Sequence, residues 1–206
     1  MKKVWNAEEK LSYERSLQAN GAKYIAGVDE VGRGPLAGPV VCCAVIMPLD
    51  EENLVVGVDD SKKLSAKKRE ELFVKLKERA LCYSIVEIDE KTIDEINILE
   101  ATKLGMKRAL ESLEITPDTV LTDGNMTLDI PFPQTSVVHG DALSYSIGSA
   151  SIIAKVHRDA LMDEYAKAYP HYDFEKNKGY GTSAHINGIK EHGLCPIHRR
   201  TFTKKF

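Results

Sequence analysis

Two apolar runs, "YIAGV" and "VVCCAVIM", flank the stretch "DEVGRGPLAGP", residues 29–39, and this arrangement limits the fold more than any other feature of the chain. Tyr24–Val28 reads as a short strand and Val40–Met47 as a second, more apolar one. The Gly/Pro-rich turn Gly32–Pro39 between them is short enough to return the chain as an antiparallel hairpin. The first strand ends in two adjacent carboxylates, Asp29 and Glu30, with Gly32-Arg33-Gly34 following at once. Strand alternation sends neighbouring side chains to opposite faces, so either the strand end is distorted or one acid points away.

Further elements follow the hairpin. A third strand is predicted near Leu54–Val58. Ser65 is a predicted N-cap for a helix whose Leu72, Leu76 and Ala80 share a face. "LCYSIVEI" (81–88) is a strand by its β-branched and aromatic content. "EKTIDEINILEATKLGMKRALESL" reads as one long helix with Ile96, Leu99, Leu104 and Leu110 among its buried positions. Short strands are predicted at "TVLTDG" (119–124) and "TSVVHGD" (135–141), a long helix over Ser144–Ala168, and a short one near Ala184–Glu191. Residues 5–19 read as a polar, exposed helix ending at Asn20-Gly21. Strands first, then alternating helix and strand, imply an α/β fold with a mixed central sheet, an antiparallel meander joined to parallel βα units. The expected division is an N-terminal helical segment (1–21), a catalytic domain (22–168) and a small helical C-terminal extension (169–206) packed on it.

The length of 206 residues suits one generous domain or one domain with an appendage, and 43% apolar with 29% charged residues is ordinary for a soluble protein. The net charge of −3 does not announce a nucleic-acid partner, so local clustering must carry that argument. Cys42, Cys43, Cys82 and Cys195 show no metal-ligand spacing and read as reduced, mostly buried thiols. The N-terminus lacks the apolar core of a signal peptide, and no run approaches the roughly 20 apolar residues that span a membrane. A soluble, cytoplasmic protein is expected, with a monomer as the default state.

Four acids share one setting: Asp29, Glu30, Asp123 and Asp141 all stand at predicted strand ends, beside glycines that let the backbone turn sharply. Strand ends are where sites gather in α/β folds. Converging carboxylates repel and raise one another's pKa. A hard divalent cation such as Mg²⁺ relieves the conflict, and two ions roughly 4 Å apart can drive phosphodiester hydrolysis. Taken singly, Asp123 and Asp141 read more simply as turn residues; the coincidence of all four favours a site.

"GVDEVGRGPLAGPVV", "DSKKLS", "NIL.A", "LTDGN", "GD…S.ASIIAKVHRD" and "KGYGT..H" resemble, in order, the blocks of the type 2 ribonuclease H family, specifically its bacterial ribonuclease HII branch. The resemblance runs from about Tyr24 to about His198 with no departure at a motif position. It implies a ribonuclease H-like fold and metal-dependent hydrolysis of the RNA strand of RNA–DNA hybrids. It also implies incision 5′ to single ribonucleotides in duplex DNA, leaving 3′-hydroxyl and 5′-phosphate ends, in ribonucleotide excision repair and RNA primer removal. Asp29, Glu30, Asp123 and Asp141 would then hold Mg²⁺ or Mn²⁺, two ions with substrate bound. Gly32, Arg33 and Gly34 would read the 2′-hydroxyl at the RNA–DNA junction, and Tyr180 would stack on the next deoxyribose. Only the 2′-hydroxyl marks a ribonucleotide, and glycines allow the backbone close to so small a group. Without the resemblance, Tyr180 reads as a packed aromatic.

Basic residues are expected along the duplex backbone. Ser61, Lys62 and Lys63 precede a helix N-terminus; Lys155, His157 and Arg158 lie along the helix after Asp141; Arg199, Arg200, Lys204 and Lys205 close the chain. Asn97 is a candidate contact to the DNA strand, and Asp159 reads as a helix salt-bridge partner rather than a fifth acid. Two other accounts compete: a ribonuclease HIII-like hybrid nuclease, which would need a large extra N-terminal domain, and a junction-binding module that does not cut, which would lack at least one of the four acids. A partner in the replication or transcription machinery is compatible with the reading, although the tail shows no clear docking motif.

Overall fold

The computed structural model describes residues 5–206; the first four residues of the expected N-terminal segment lie outside that range. The strands are β1 (Ile25–Val31), β2 (Val40–Ile46), β3 (Cys82–Ile88), β4 (Thr119–Asp123) and β5 (Gln134–Val137). The helices are α1 (Ala7–Lys10), α2 (Ser12–Ala19), α3 (Ala66–Arg79), α4 (Glu90–Glu111), α5 (Gly140–Leu143), α6 (Tyr145–Ala168), α7 (Phe174–Asn177) and α8 (Ser183–His192). The five strands form one mixed sheet in the order β3-β2-β1-β4-β5. β1 pairs antiparallel with β2, as does β2 with β3, whereas β1–β4 and β4–β5 are parallel. This is the meander-plus-βα arrangement expected from the order of elements.

Strand alternation divides the core. Val41, Cys43 and Val45 of β2 join Ile147, Ala150 and Ile153 of α6 and Leu72 and Leu76 of α3 in one cluster. Cys42, Ala44 and Ile46 join Met106, Ala109 and Leu110 of α4 in another. The adjacent cysteines therefore belong to opposite faces, and all four thiols are free. Helix α6 crosses β1 so closely that a Cβ on Gly27 would stand 2.2 Å from the carbonyl carbon of Ser146.

Five local expectations are corrected. Residues 54–58 form no strand: Val55 N–H donates to the Tyr145 hydroxyl (2.9 Å), and Gly57 turns the chain at φ +100°. The N-terminal helix breaks at Leu11 into α1 and α2 and is not wholly exposed, because Leu11 and Glu14 are buried. In α4, Asn97 has φ +68°, and its side chain accepts from the N–H groups of Leu99 and Glu100, starting the helix anew. That kink shifts the helical phase, leaving Leu99 exposed while Ala101 and Thr102 turn inward. Asp29 and Glu30 do not end β1, whose ladder with β2 continues regularly to Val31–Val41. Finally, Asp141 lies inside α5, after His139 in the left-handed region at φ +57°.

Candidate active site

Parallel pairing brings three acids together. The β1–β4 ladder ends at Val28–Thr122, so Asp29 and Glu30 project past it while Asp123 follows as the last residue of β4. Asp29, Glu30 and Asp123 line a cavity of about 100 Å³ with Ser61, Lys62, Ser151, Lys155 and Tyr180. Glu30 N–H donates to Asp29 Oδ1 (2.7 Å), an arrangement that needs no break in the strand. Asp123 Oδ1 accepts the N–H of Gly140 at 2.6 Å and, more weakly, that of Asp141 at 3.4 Å, tying α5 to β4. A Cβ at Gly140 would meet Ile147 Cδ1 at 2.5 Å, so this turn passes close to α6.

The electrostatics agree with that convergence. Burial pushes the Asp29 carboxyl well above the usual carboxylate range, with Glu30 and Asp123 adding to the shift. Burial also raises Glu30 to about 7, against the opposing charge of Arg33 and with help from Asp123. Asp141 is raised by burial, then by Asp60 and Asp123. Asp123 thus acts on all three of the other carboxyls. Lys62 faces the same group: burial lowers its pKa, but Asp141, Asp29, Asp60 and Asp123 together raise it.

The residues fit a hard divalent cation. All four candidate donors are carboxylates, and Glu30 Oε2 is buried with no hydrogen-bond partner. Among the described residues no set of three or more acids, histidines or cysteines is placed so as to enclose a metal ion as they stand.

The glycine-arginine-glycine loop is held from below. Arg199 Nη2 donates to Gly32 O (2.6 Å), Nη1 to Arg33 O (2.8 Å) and Nε to Gly38 O (2.9 Å). Arg158 does the same for Pro39 O (3.0 Å), Lys178 O (2.9 Å) and Ala37 O (3.2 Å). Both guanidiniums are fully buried, so they are not part of a phosphate-gripping surface stripe, as the sequence suggested. Loop carbonyls that would otherwise lack donors explain their burial. Gly32, at φ +94°, leaves no room for a side chain: a Cβ would stand 2.2 Å from Arg158 Nε. Arg33 points outward and its Nη1 lies 3.5 Å from Glu30 Oε1.

Tyr180 is exposed, and its ring lies against the same loop, 3.5 Å from where a Cβ on Gly34 would be. Its carbonyl accepts from His185 Nδ1 (2.9 Å), which leaves His185 Nε2 to accept from His198 Nε2 at 3.0 Å. Both rings are then neutral, in keeping with burial, which lowers His185 and takes His198 to about 4. His198 is therefore another tail residue that serves the interior.

The remaining candidates divide. Ser61 is buried and bonded to Ser151 (3.0 Å). Lys155 reaches the cavity but is paired with Asp159 (2.7 Å), which makes Asp159 the salt-bridge partner expected. Lys63 is exposed, 3.4 Å from Asp60; His157 pairs with Glu87 (2.6 Å). Arg200, Lys204 and Lys205 are exposed. Asn97 serves the α4 kink and does not line the cavity. Sequence reasoning missed Ser151 and Asp60. Ser151, Lys155 and Asp159 recur every four residues on α6, a one-face spacing that was available to find the first.

This sheet with its flanking helices is a ribonuclease H-like fold, and a solved ribonuclease H2 from Pyrococcus horikoshii OT3 is similar to it, with 29% identity and a TM-score of 0.72 over 88% of this chain and 94% of that one. The family model for ribonuclease HII matches residues 26–205, so the chain belongs to the ribonuclease HII family. Ribonuclease HII of Ligilactobacillus salivarius (strain UCC118) is 53% identical over 98% of this chain and 80% of its own length. That of Caldicellulosiruptor saccharolyticus is 52% identical over 96% of this chain and 95% of its own length. The protein is a ribonuclease H endonuclease acting on RNA–DNA.

Proposed function

We propose that this chain incises duplex DNA on the 5′ side of an embedded ribonucleotide, leaving 3′-hydroxyl and 5′-phosphate ends, with Asp29, Glu30, Asp123 and Asp141 holding Mg²⁺ or Mn²⁺. The observation that carries the reading is Glu30 Oε2, a buried carboxylate oxygen without a partner, in a cavity where burial first, and neighbouring acids with it, push the carboxyls towards protonation. The bound ions supply an activated water and neutralise charge on the leaving oxygen. Asp123 also holds the Asp141 turn, so one side chain couples two of the four donors. Lys62 and Lys155 at the cavity wall attract the phosphodiester. The glycine-arginine-glycine loop brings backbone groups to the 2′-hydroxyl, and Tyr180 beside it supplies a flat face for the following sugar.

A labelled duplex with one ribonucleotide tests this reading. Cleavage 5′ to that residue with Mg²⁺ or Mn²⁺ is expected, and Asp29→Asn should bind the duplex without cutting it. An intact substrate at saturating metal, with wild-type protein, overturns the reading.

A further inference from the structure

We propose that Lys10 and Glu14, on the two N-terminal helices, are positioning residues for the carboxyl of Asp141. The inference rests on the reading of Asp141 as a metal ligand and gives the N-terminal segment a role in the site.

Asp141 sits in α5, a helix of four residues between a left-handed His139 and an extended Ser144. A single turn has too few hydrogen bonds to hold itself. Its position must come from its neighbours, and three side chains supply it. Asp123 takes the N–H of Gly140. Lys10 Nζ donates to the carbonyl of Ala142, the residue after Asp141, at 2.5 Å. Glu14 Oε1 accepts from the Ser144 hydroxyl (2.6 Å) and from Ser146 N–H (2.9 Å), at the junction where α5 ends and α6 begins.

Neither contact is needed to build the helices. Ser144 already caps α6 by accepting the N–H of Ile147 (3.2 Å). Glu14 is wholly buried and its Oε2 has no partner, a costly arrangement for a redundant cap. Lys10 also donates to Asp59 Oδ1 (2.7 Å), and Asp59 in turn accepts the N–H of Asp60 (2.9 Å). Asp60 faces Asp141 closely enough for its charge to help raise the Asp141 carboxyl. Lys10 therefore bridges α5 and the 59–60 loop and sets the distance between two acids that repel. The apolar residues of the same segment do something else: Leu11, Tyr13 and Leu17 pack on the main core cluster.

The full-length protein tests the idea through metal binding as well as activity. Mn²⁺ is titrated calorimetrically without substrate, and Mg²⁺ half-saturation and duplex KM are read from cleavage. Lys10→Met and Glu14→Ala should each weaken Mn²⁺ binding about tenfold while duplex KM at saturating metal stays within about twofold of wild type. Glu14→Gln keeps an acceptor for Ser144 and Ser146 and should restore most of the affinity. Leu17→Ala should lower the melting temperature without moving the Mn²⁺ affinity. If Glu14→Ala does not fold, Lys10→Met carries the test. Wild-type Mn²⁺ affinity in Lys10→Met, or an equal loss in Leu17→Ala, overturns the bracing role. Unchanged Mn²⁺ binding in Asp141→Asn overturns both this inference and the ligand reading beneath it, whereas a loss there with none in Lys10→Met overturns the bracing alone.

Discussion

Replacing Glu30 with glutamine should stabilise the protein when it is held in chelator, and should do so far more at alkaline than at acid pH. Glu30 titrates at about 7 in the folded chain, against a reference of 4.5. Its folded pKa is the higher one, so between those values the folded chain binds more protons than the unfolded chain, and stability falls as pH rises. Carried through proton linkage, the difference between those two values corresponds to a destabilisation of about 3 kcal/mol at pH 8 and about 1 kcal/mol or less at pH 5. Arg33 opposes this, but it is 43% exposed and 3.5 Å from Glu30, so the pair contributes about 1 kcal/mol at most. Burial of the carboxylate therefore outweighs the ion pair, with Asp123 adding to it. For a chain of this size, Glu30→Gln should melt on the order of 5–10 °C higher than wild type at pH 8, and about 1–4 °C higher at pH 5. Thermal unfolding in EDTA at the two pH values measures it. Adding Mg²⁺ at pH 8 should raise wild type more than the variant and close the gap. A variant less stable than wild type at pH 8, or one whose gain is the same at both pH values, refutes the argument that a buried, charged Glu30 destabilises the metal-free site.

Two further outcomes follow from the same geometry. Tyr180 is exposed and carries little of the fold, so Tyr180→Ala should change stability by about 0.5 kcal/mol or less. Incision at a single ribonucleotide should nevertheless fall by about 5- to 100-fold in kcat/KM, the range of one lost ring-to-nucleotide stack. Arg199→Lys keeps the charge but cannot reach Gly32 O, Arg33 O and Gly38 O together. It should cost on the order of 2–4 kcal/mol in chemical denaturation and narrow the preference for ribonucleotide-containing over all-DNA duplex. An unchanged preference in a destabilised Arg199→Lys would show that the loop is read without its support.

The elements that a local pattern specifies were legible: the hairpin from its Gly/Pro turn, α3 from the Ser65 cap, the long helix α6, and Asp123 at the end of its strand, whereas β1 runs on past Asp29 and Glu30. What escaped was decided by partners distant in sequence. Leu54–Val58 has strand-like composition, but its backbone bonds to Tyr145, 90 residues on. Arginine is usually a surface residue, and nothing local to "VHRD" or "HRRT" announces that Arg158 and Arg199 will be surrounded by loop carbonyls 119 to 167 residues away. Glu14, in a segment that looks polar throughout, is buried because Ser144 and Ser146 need its oxygen in that place. The left-handed Asn97 hides in a sequence whose helical spacing is otherwise good enough to read as unbroken.

The two buried arginines also bear on how a chain of net charge −3 approaches nucleic acid. Each guanidinium is satisfied by carbonyls, which neutralise hydrogen-bonding demand but not charge. Burial lowers both pKa values, to about 10 for Arg158 and about 9 for Arg199, and still leaves both charged at neutral pH. Two positive charges thus lie beneath the glycine-arginine-glycine loop in a medium that screens them poorly. The nearby cavity is lined by three carboxyls, Asp29, Glu30 and Asp123, which on their own repel a phosphodiester. Cations held there, as proposed, would reverse that repulsion, and the positive field under the loop would then add to theirs instead of opposing the acids. Metal and duplex should therefore bind with positive linkage, and the linkage must be reciprocal: duplex tightens the metal by the factor by which metal tightens duplex. Net charge alone could not indicate this, because it does not record that two arginine charges are buried under the loop while three carboxyls line a cavity of about 100 Å³.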